Sequence, residues 1–110
     1  MEIINLEQSA KFSTEKLIPN RIIEKEEVQV VLLAFEPGQQ VSEHKTPVDV
    51  FFHVVKGSAE ITIGEEKKQV QEGNIVLSPA NIPHAIRNNS GERAMVLVVK
   101  TPNPQYYIKK

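Results

Sequence analysis

Apolar and polar positions along the chain fall into short runs closed by glycine, proline and asparagine. Residues 28–35 (Val-Gln-Val-Val-Leu-Leu-Ala-Phe) are almost wholly apolar and rich in β-branched side chains, and Pro37-Gly38 stops them. Residues 48–56 form the next run, closed by Gly57-Ser58, and residues 59–63 end at Gly64-Glu65. Shorter runs at 67–71, 75–77 and 84–88 end near Gly73, at Pro79 and at Asn89-Ser90-Gly91, and residues 93–100 end at Pro102 and Pro104. β-Branched and aromatic residues suit a pleated, half-buried strand, and Gly, Pro and Asn clusters mark where such strands turn. Closely spaced strands with no long helical period predict an antiparallel sandwich or barrel. The one helical turn expected is residues 6–11, with Asn5 as N-cap and Gln8 completing a capping box. Pro19-Asn20 reads as a turn.

Composition narrows the function classes. A chain of 110 residues is the size of one domain, and at that length folding can bury a single core. The formal net charge of −1 speaks against a nucleic-acid footprint and against a polybasic membrane patch. The chain has no cysteine, so neither a disulfide frame nor a thiolate site is possible. The N-terminal Met-Glu-Ile-Ile-Asn-Leu-Glu lacks the basic and apolar regions of a signal peptide, and no stretch approaches the length of a membrane span. A cytoplasmic protein is the expectation. Ser58 and Ser78 have no nucleophile-elbow pattern around them.

One stretch combines strand, turn and strand around a histidine: Gly73-Asn-Ile-Val-Leu-Ser-Pro79-Ala-Asn81-Ile-Pro-His84-Ala-Ile-Arg-Asn88. Its spacing resembles the second conserved motif of the cupin superfamily, with Asn81 in place of a turn glycine, a change asparagine tolerates because it also accepts left-handed backbone. Upstream, Gly38, His44 and Gly57 match the first motif, while its second histidine falls on Thr46 and its glutamate on Val50. The resemblance implies an all-β, cupin-type antiparallel β-barrel or jelly-roll sandwich, a double-stranded β-helix. It implies a single cupin domain over 1–110, the barrel spanning about 28–100 behind an N-terminal extension, 1–27. It also implies a lumen that holds a metal or a small ligand, and it leaves two of the four usual metal ligands missing.

Strand alternation then assigns faces. With Val50 inward, Phe52 and Val54 share its face, and Phe51, His53 and Val55 point away. With His84 inward, Ile86 follows, and Ile61 joins from residues 59–63. The expected ligand pocket is therefore His44, Val50, Phe52, Ile61, His84 and Ile86: apolar walls with a few polar groups, as ligand sites commonly are. A divalent transition metal (Zn, Fe, Ni or Mn) would rest on His44 and His84, since neutral imidazole suits such ions. A one-residue slip would exchange faces and add Asp49 and His53 to that set. Asn88 is expected to bond the backbone of the following turn.

Three functions are consistent with these residues: a small-molecule-binding module with no essential metal, a metal-dependent oxygenase or isomerase, and a metal-free epimerase or lyase with a lumen histidine as base. Whether the protein is an enzyme is left open by the sequence. A small-molecule ligand and a homodimer, the latter through the outward apolar face, are the expected partners.

Overall fold

The structure, a computed structural model, describes residues 1–107. Nine strands follow one another: β1 (Asn20–Glu24), β2 (Gln29–Phe35), β3 (Gln40–His44), β4 (Asp49–Lys56), β5 (Ser58–Ile63), β6 (Glu66–Gln71), β7 (Ile75–Ser78), β8 (His84–Arg87) and β9 (Ala94–Thr101). They build two antiparallel sheets, ordered β1-β2-β9-β4-β7 and β3-β8-β5-β6. The fold is an all-β jelly-roll sandwich. β2 and β4 through β9 occupy the seven runs expected from the sequence. β1 replaces the expected turn at Pro19-Asn20, and β3 is a strand that no run marked. Both are short, polar and at a sheet edge, where one row of backbone groups goes unpaired and hydrophobic alternation is not required.

The register of the first sheet stacks side chains in cross-strand rows. Reading from one end of the strands, the inward rows are Glu24–Gln29–Lys100–Val50–Ser78, then Arg21–Val31–Val98–Phe52–Val76, then Leu33–Val96–Val54, then Phe35–Ala94. The second sheet answers with Val41–Ile86–Ile61 and Ala59–Val70. Val31, Leu33, Phe35, Val54, Ala59, Ile61, Ile86, Ala94 and Val96 belong to one buried cluster between the sheets. Phe35, Val54, Ala59, Ala94 and Val96 have essentially no exposure, so this end of the sandwich is filled.

The outer face of the first sheet is also apolar. Leu32 and Met95 are buried there. The N-terminal segment is tied across it, Glu7 to Lys56 of β4 at 3.5 Å and the Ser9 carbonyl to the Asn20 side chain of β1 at 2.8 Å. Phe51, His53 and Val55 are half-buried on the same face, and their β7 neighbours Ile75 and Leu77 are exposed. The helical turn is shorter than expected: α1 (Leu6–Ser9) ends at Ala10, which is extended. Asn5 Oδ1 accepts from the Gln8 backbone N–H at 2.9 Å, so Gln8 contributes its main chain to the cap.

Two turns aim the site strands. Asn81 has φ +67, the left-handed conformation that asparagine enters more readily than most residues, and its N–H donates to the Thr46 carbonyl at 2.8 Å. Gly57 has φ +76, and a Cβ there would lie 2.7 Å from the Arg93 carbonyl oxygen, so glycine is required on both counts. A short C-terminal helix, α2 (Pro104–Tyr107), follows β9.

Candidate functional site

A β-bulge brings His44 to the site. In the β3–β8 ladder Val41 faces Ile86 and His44 faces His84, three residues on one strand against two on the other. The extra residue rotates the phase of β3, so His44 and Val41 share the inner face. His44 lies exposed at the rim and His84 is 2% exposed.

The two imidazoles meet edge to face, with centroids 4.5 Å apart and Nε2 atoms 3.3 Å apart. His44 Nδ1 lies 3.0 Å from the Ser42 carbonyl oxygen, which can only accept, so Nδ1 carries the proton and Nε2 presents a lone pair. His84 then donates its Nε2–H to His44, with Thr46 Oγ1 at 3.3 Å as a second acceptor. The Ser78 hydroxyl donates to His84 Nδ1 at 2.8 Å. This chain of bonds leaves no buried side-chain polar atom without a partner among the described residues. The Phe52 ring packs against His84 at 5.2 Å. Burial, then the neighbouring His44 and Lys100, push the His84 pKa down to about 4. His84 is a neutral imidazole at pH 7.

Beside this pair a cavity of about 220 Å³ opens toward solvent. Its walls are Val31, Leu33, Phe52 and Val98 from the first sheet and Val41, Ala85 and Ile86 from the second. Its polar lining is His44, His84, Gln29, Arg21 and Lys100, with Pro19 at the edge, and none of the lining residues is an acid. Gln29 is buried, and its amide donates to both carboxylate oxygens of Glu24 at 3.2 and 3.3 Å, while the Asn103 amide donates to Glu24 at 3.1 Å. The Asn103 bond, then Gln29 and the charges of Arg21 and Lys100, hold the Glu24 carboxyl below its usual range in spite of partial desolvation. Burial pushes the Lys100 ammonium pKa down, the Arg21 charge adds to this, and Glu24 opposes it.

Of the residues expected to form a pocket, His44, Phe52, His84 and Ile86 line this cavity. Val50 and Ile61 do not: both are packed in the core. Ser78, the cross-strand neighbour of Val50, reaches over to His84 and closes the space above Val50. Ile61 lies on β5, one strand farther from the β1–β2 and β3–β8 edges around which the cavity forms. Arg21, Gln29 and Lys100 were missed. Gln29 and Lys100 keep the inward phase of Val31–Leu33–Phe35 and Ala94–Val96–Val98, a signal hidden because β2 is buried on both faces. Arg21 lies on the strand that read as a turn.

The slipped register is not adopted. Alternation along β4 is unbroken from Asp49 to Val54, and the β4 irregularity comes only after Val54. Asp49 is exposed and accepts from the Ala80 N–H at 2.9 Å, and His53 faces outward between Ile75 and Leu97. Neither approaches the histidine pair.

The donor set decides whether a resident metal fits. The separation of the two Nε2 atoms matches the edge of a tetrahedron with ordinary zinc–nitrogen bonds, about 3.3 Å. The other two expected ligands are a threonine hydroxyl and a valine, and among the described residues no group of three His, Cys, Asp or Glu is disposed to hold a metal. The nearby charges are cationic, and the imidazole nitrogens are already satisfied by hydrogen bonds. Catalytic sites usually supply three protein ligands, so these residues do not fit a resident divalent ion.

Known proteins agree with the architecture. The family model for the cupin domain matches residues 31–100. The crystal structure of TT1209 from Thermus thermophilus superposes with a TM-score of 0.90 and 31% identity, over 94% of this chain and 100% of that one. An RmlC-like cupin family protein with a double-stranded β-helix fold from Methanocaldococcus jannaschii gives 0.76 and 26%, over 88% and 92%. An uncharacterized Streptomyces coelicolor protein is 37% identical over 75 residues, 68% of this chain and 70% of its own. No helix among the described residues is long and apolar enough to cross a membrane. The chain belongs to the cupin family.

Proposed function

We propose that this cupin binds a small organic molecule in the open end of its barrel, without a resident metal. The observation that carries the reading is the cavity itself: apolar walls from both sheets, with a satisfied histidine pair at its side. Pockets of that composition hold ligands by burying their apolar surface and fixing their orientation through a few polar contacts. Here Arg21, Gln29 and Lys100 would present the polar contact beside the histidine pair, and Phe52, Ile86 and Val98 the apolar one. The volume lies below the range of about 300–1,000 Å³ usual for drug-sized ligands, which points to a compact molecule.

The metal-dependent oxygenase or isomerase has less support, because two imidazoles are its whole donor set among the described residues. The metal-free epimerase or lyase has less still, because an imidazole with a pKa of about 4 is a weak base at neutral pH.

Metal-stripped protein titrated with a panel of small organic fragments, charged and neutral, tests the reading. Methyl signals of Val31, Ile86 and Val98 and the ring signals of His84 should move together for the fragments that bind. No fragment moving them at millimolar concentration, or movement only after zinc is restored, would sink it.

A further inference from the structure

We propose that the molecule this cavity takes is a small organic acid, its apolar body between the sheets and its carboxylate at the mouth between Arg21 and Lys100. The proposal rests on the small-molecule reading above and specifies the class of ligand.

The charge inventory of the cavity carries it. Two cations and no acid line it. Neither Arg21 nor Lys100 belongs to an ion pair among the described residues, where the pairs are Lys56–Glu7 and Arg93–Glu36. The nearest carboxylate, Glu24, feels the charges of both cations, but its hydrogen bonds go to the Gln29 and Asn103 amides and it pairs with neither cation within ion-pair distance. Lys100 and Arg21 sit in adjacent inward rows of one sheet, Lys100 opposite Gln29 and Arg21 opposite Val31. Both line one end of the cavity, Arg21 level with Val31 and Val98 and Lys100 one row beyond them. An arginine fork binds a carboxylate bidentately, and a lysine ammonium adds a point charge.

The half-buried position of Lys100 supports the same assignment. Burial and Arg21 disfavour the Lys100 charge and Glu24 offsets this only in part, so a ligand anion between the two cations would relieve it further. The apolar rows below set the rest of the ligand: Val31, Leu33, Val98, Phe52 and Ile86 offer no partner to further polar groups. A highly hydroxylated or multiply charged molecule would leave polar atoms buried without bonds there, a costly outcome.

Cyclohexanecarboxylate and cyclohexanecarboxamide, nearly equal in size and shape but differing in charge, make the test. Titrated by calorimetry and by methyl NMR at constant ionic strength, the acid should bind the wild-type protein at least about tenfold more tightly than the amide. The R21M/K100M variant should bring the two to near equality. The K67M/K68M variant changes net charge equally on exposed residues away from the cavity and should leave the preference intact. Inorganic phosphate at the concentration of the acid should not displace it, since phosphate lacks the apolar body. Acid and amide binding equally to the wild type would overturn the proposal while leaving the small-molecule reading standing. Failure of both to move the Val31, Ile86 and Val98 methyls, when other fragments do so, would also overturn it. If no fragment of any kind moves them, the small-molecule reading itself falls. Preference surviving in R21M/K100M, or lost equally in K67M/K68M, would show that the two cations do not select the ligand. The wild-type comparison stands even if the double variant does not fold.

Discussion

The two ends of the barrel are built from the same strands and differ by what closes each row. At one end β2, β9 and β4 contribute Leu33, Phe35, Ala94, Val96 and Val54, which are packed with little or no exposure. At the other end the same inward phase delivers Gln29 and Lys100, and the space between the sheets stays open. The pairing of β2 with β9 runs unbroken from core to cavity, and the register shifts at the open end lie in the edge strands β1 and β3. Within the central strands, one more inward residue, made polar, turns core into cavity wall. The filled end can supply stability through apolar burial, while the open end carries a partly desolvated cation and a buried neutral histidine that tax it.

Damage at the filled end is therefore expected to be a stability effect alone. Phe35 is fully buried in the last row. Phe35→Ala removes its ring and leaves a cavity in a packed core, and a loss of about 3–5 kcal/mol is expected. Urea unfolding measures it, and the affinity of the folded fraction for any ligand of the open end should be unchanged. Affinity falling in step with stability would mean that the two ends are not separable.

How far the sequence reaches follows the same division. The filled end was legible because its strands are rich in β-branched and aromatic residues and end at glycine or proline. The double-stranded fold and the approach of residues 44 and 84 followed from motif spacing. The open end was harder. β1 and β3 are edge strands whose polar residues carry no alternation, so Arg21 was hidden in an expected turn. The phase of β2 is masked because both its faces are covered, so nothing in the run 28–35 marks Gln29 as the last inward residue. Lys100 stands before a proline-containing tail and looked like the end of a strand. The bulge in β3, which brings His44 inward, depends on the pairing of β3 with β8 and leaves no mark in either strand alone.

Acid separates the ends by a smaller amount. His84 is buried as the neutral form, with its pKa pushed from 6.5 to about 4, chiefly by desolvation and then by His44 and Lys100. Because the unfolded chain binds a proton that the folded chain refuses, this group's contribution is fully present above about pH 6.5. It is lost progressively as pH falls from there to about 4, and is flat below. The loss is on the order of a few kcal/mol at its limit. His84→Gln should remove this slope, seen as the difference between the two proteins' unfolding free energies across pH 4–7. An unchanged difference across that window would mean that His84 is not held neutral, and the hydrogen-bond chain through Ser78 and His44 would need another protonation pattern.

The smallest effect has the opposite sign and bears most directly on the open end. Lys100 is half-buried, its pKa is pushed down by burial and by Arg21, and only Glu24 opposes this. A lysine whose charged form is disfavoured in the folded state costs stability at neutral pH, since the charge must be kept where water is scarce. Lys100→Met keeps much of the aliphatic stem and removes the charge. It also joins the apolar row below, Val31, Val98 and Phe52, without changing the β9 register. The variant is therefore expected to gain stability, up to about 1 kcal/mol or a few degrees in Tm, while its preference for an acid over the matching amide weakens. Stability and selectivity would then move in opposite directions from a single side chain, as expected of a residue kept for binding and not for the fold. A variant less stable than the wild type at pH 7 would show that the ammonium group has a stabilising partner in the folded chain, and would count against its being free to meet a ligand.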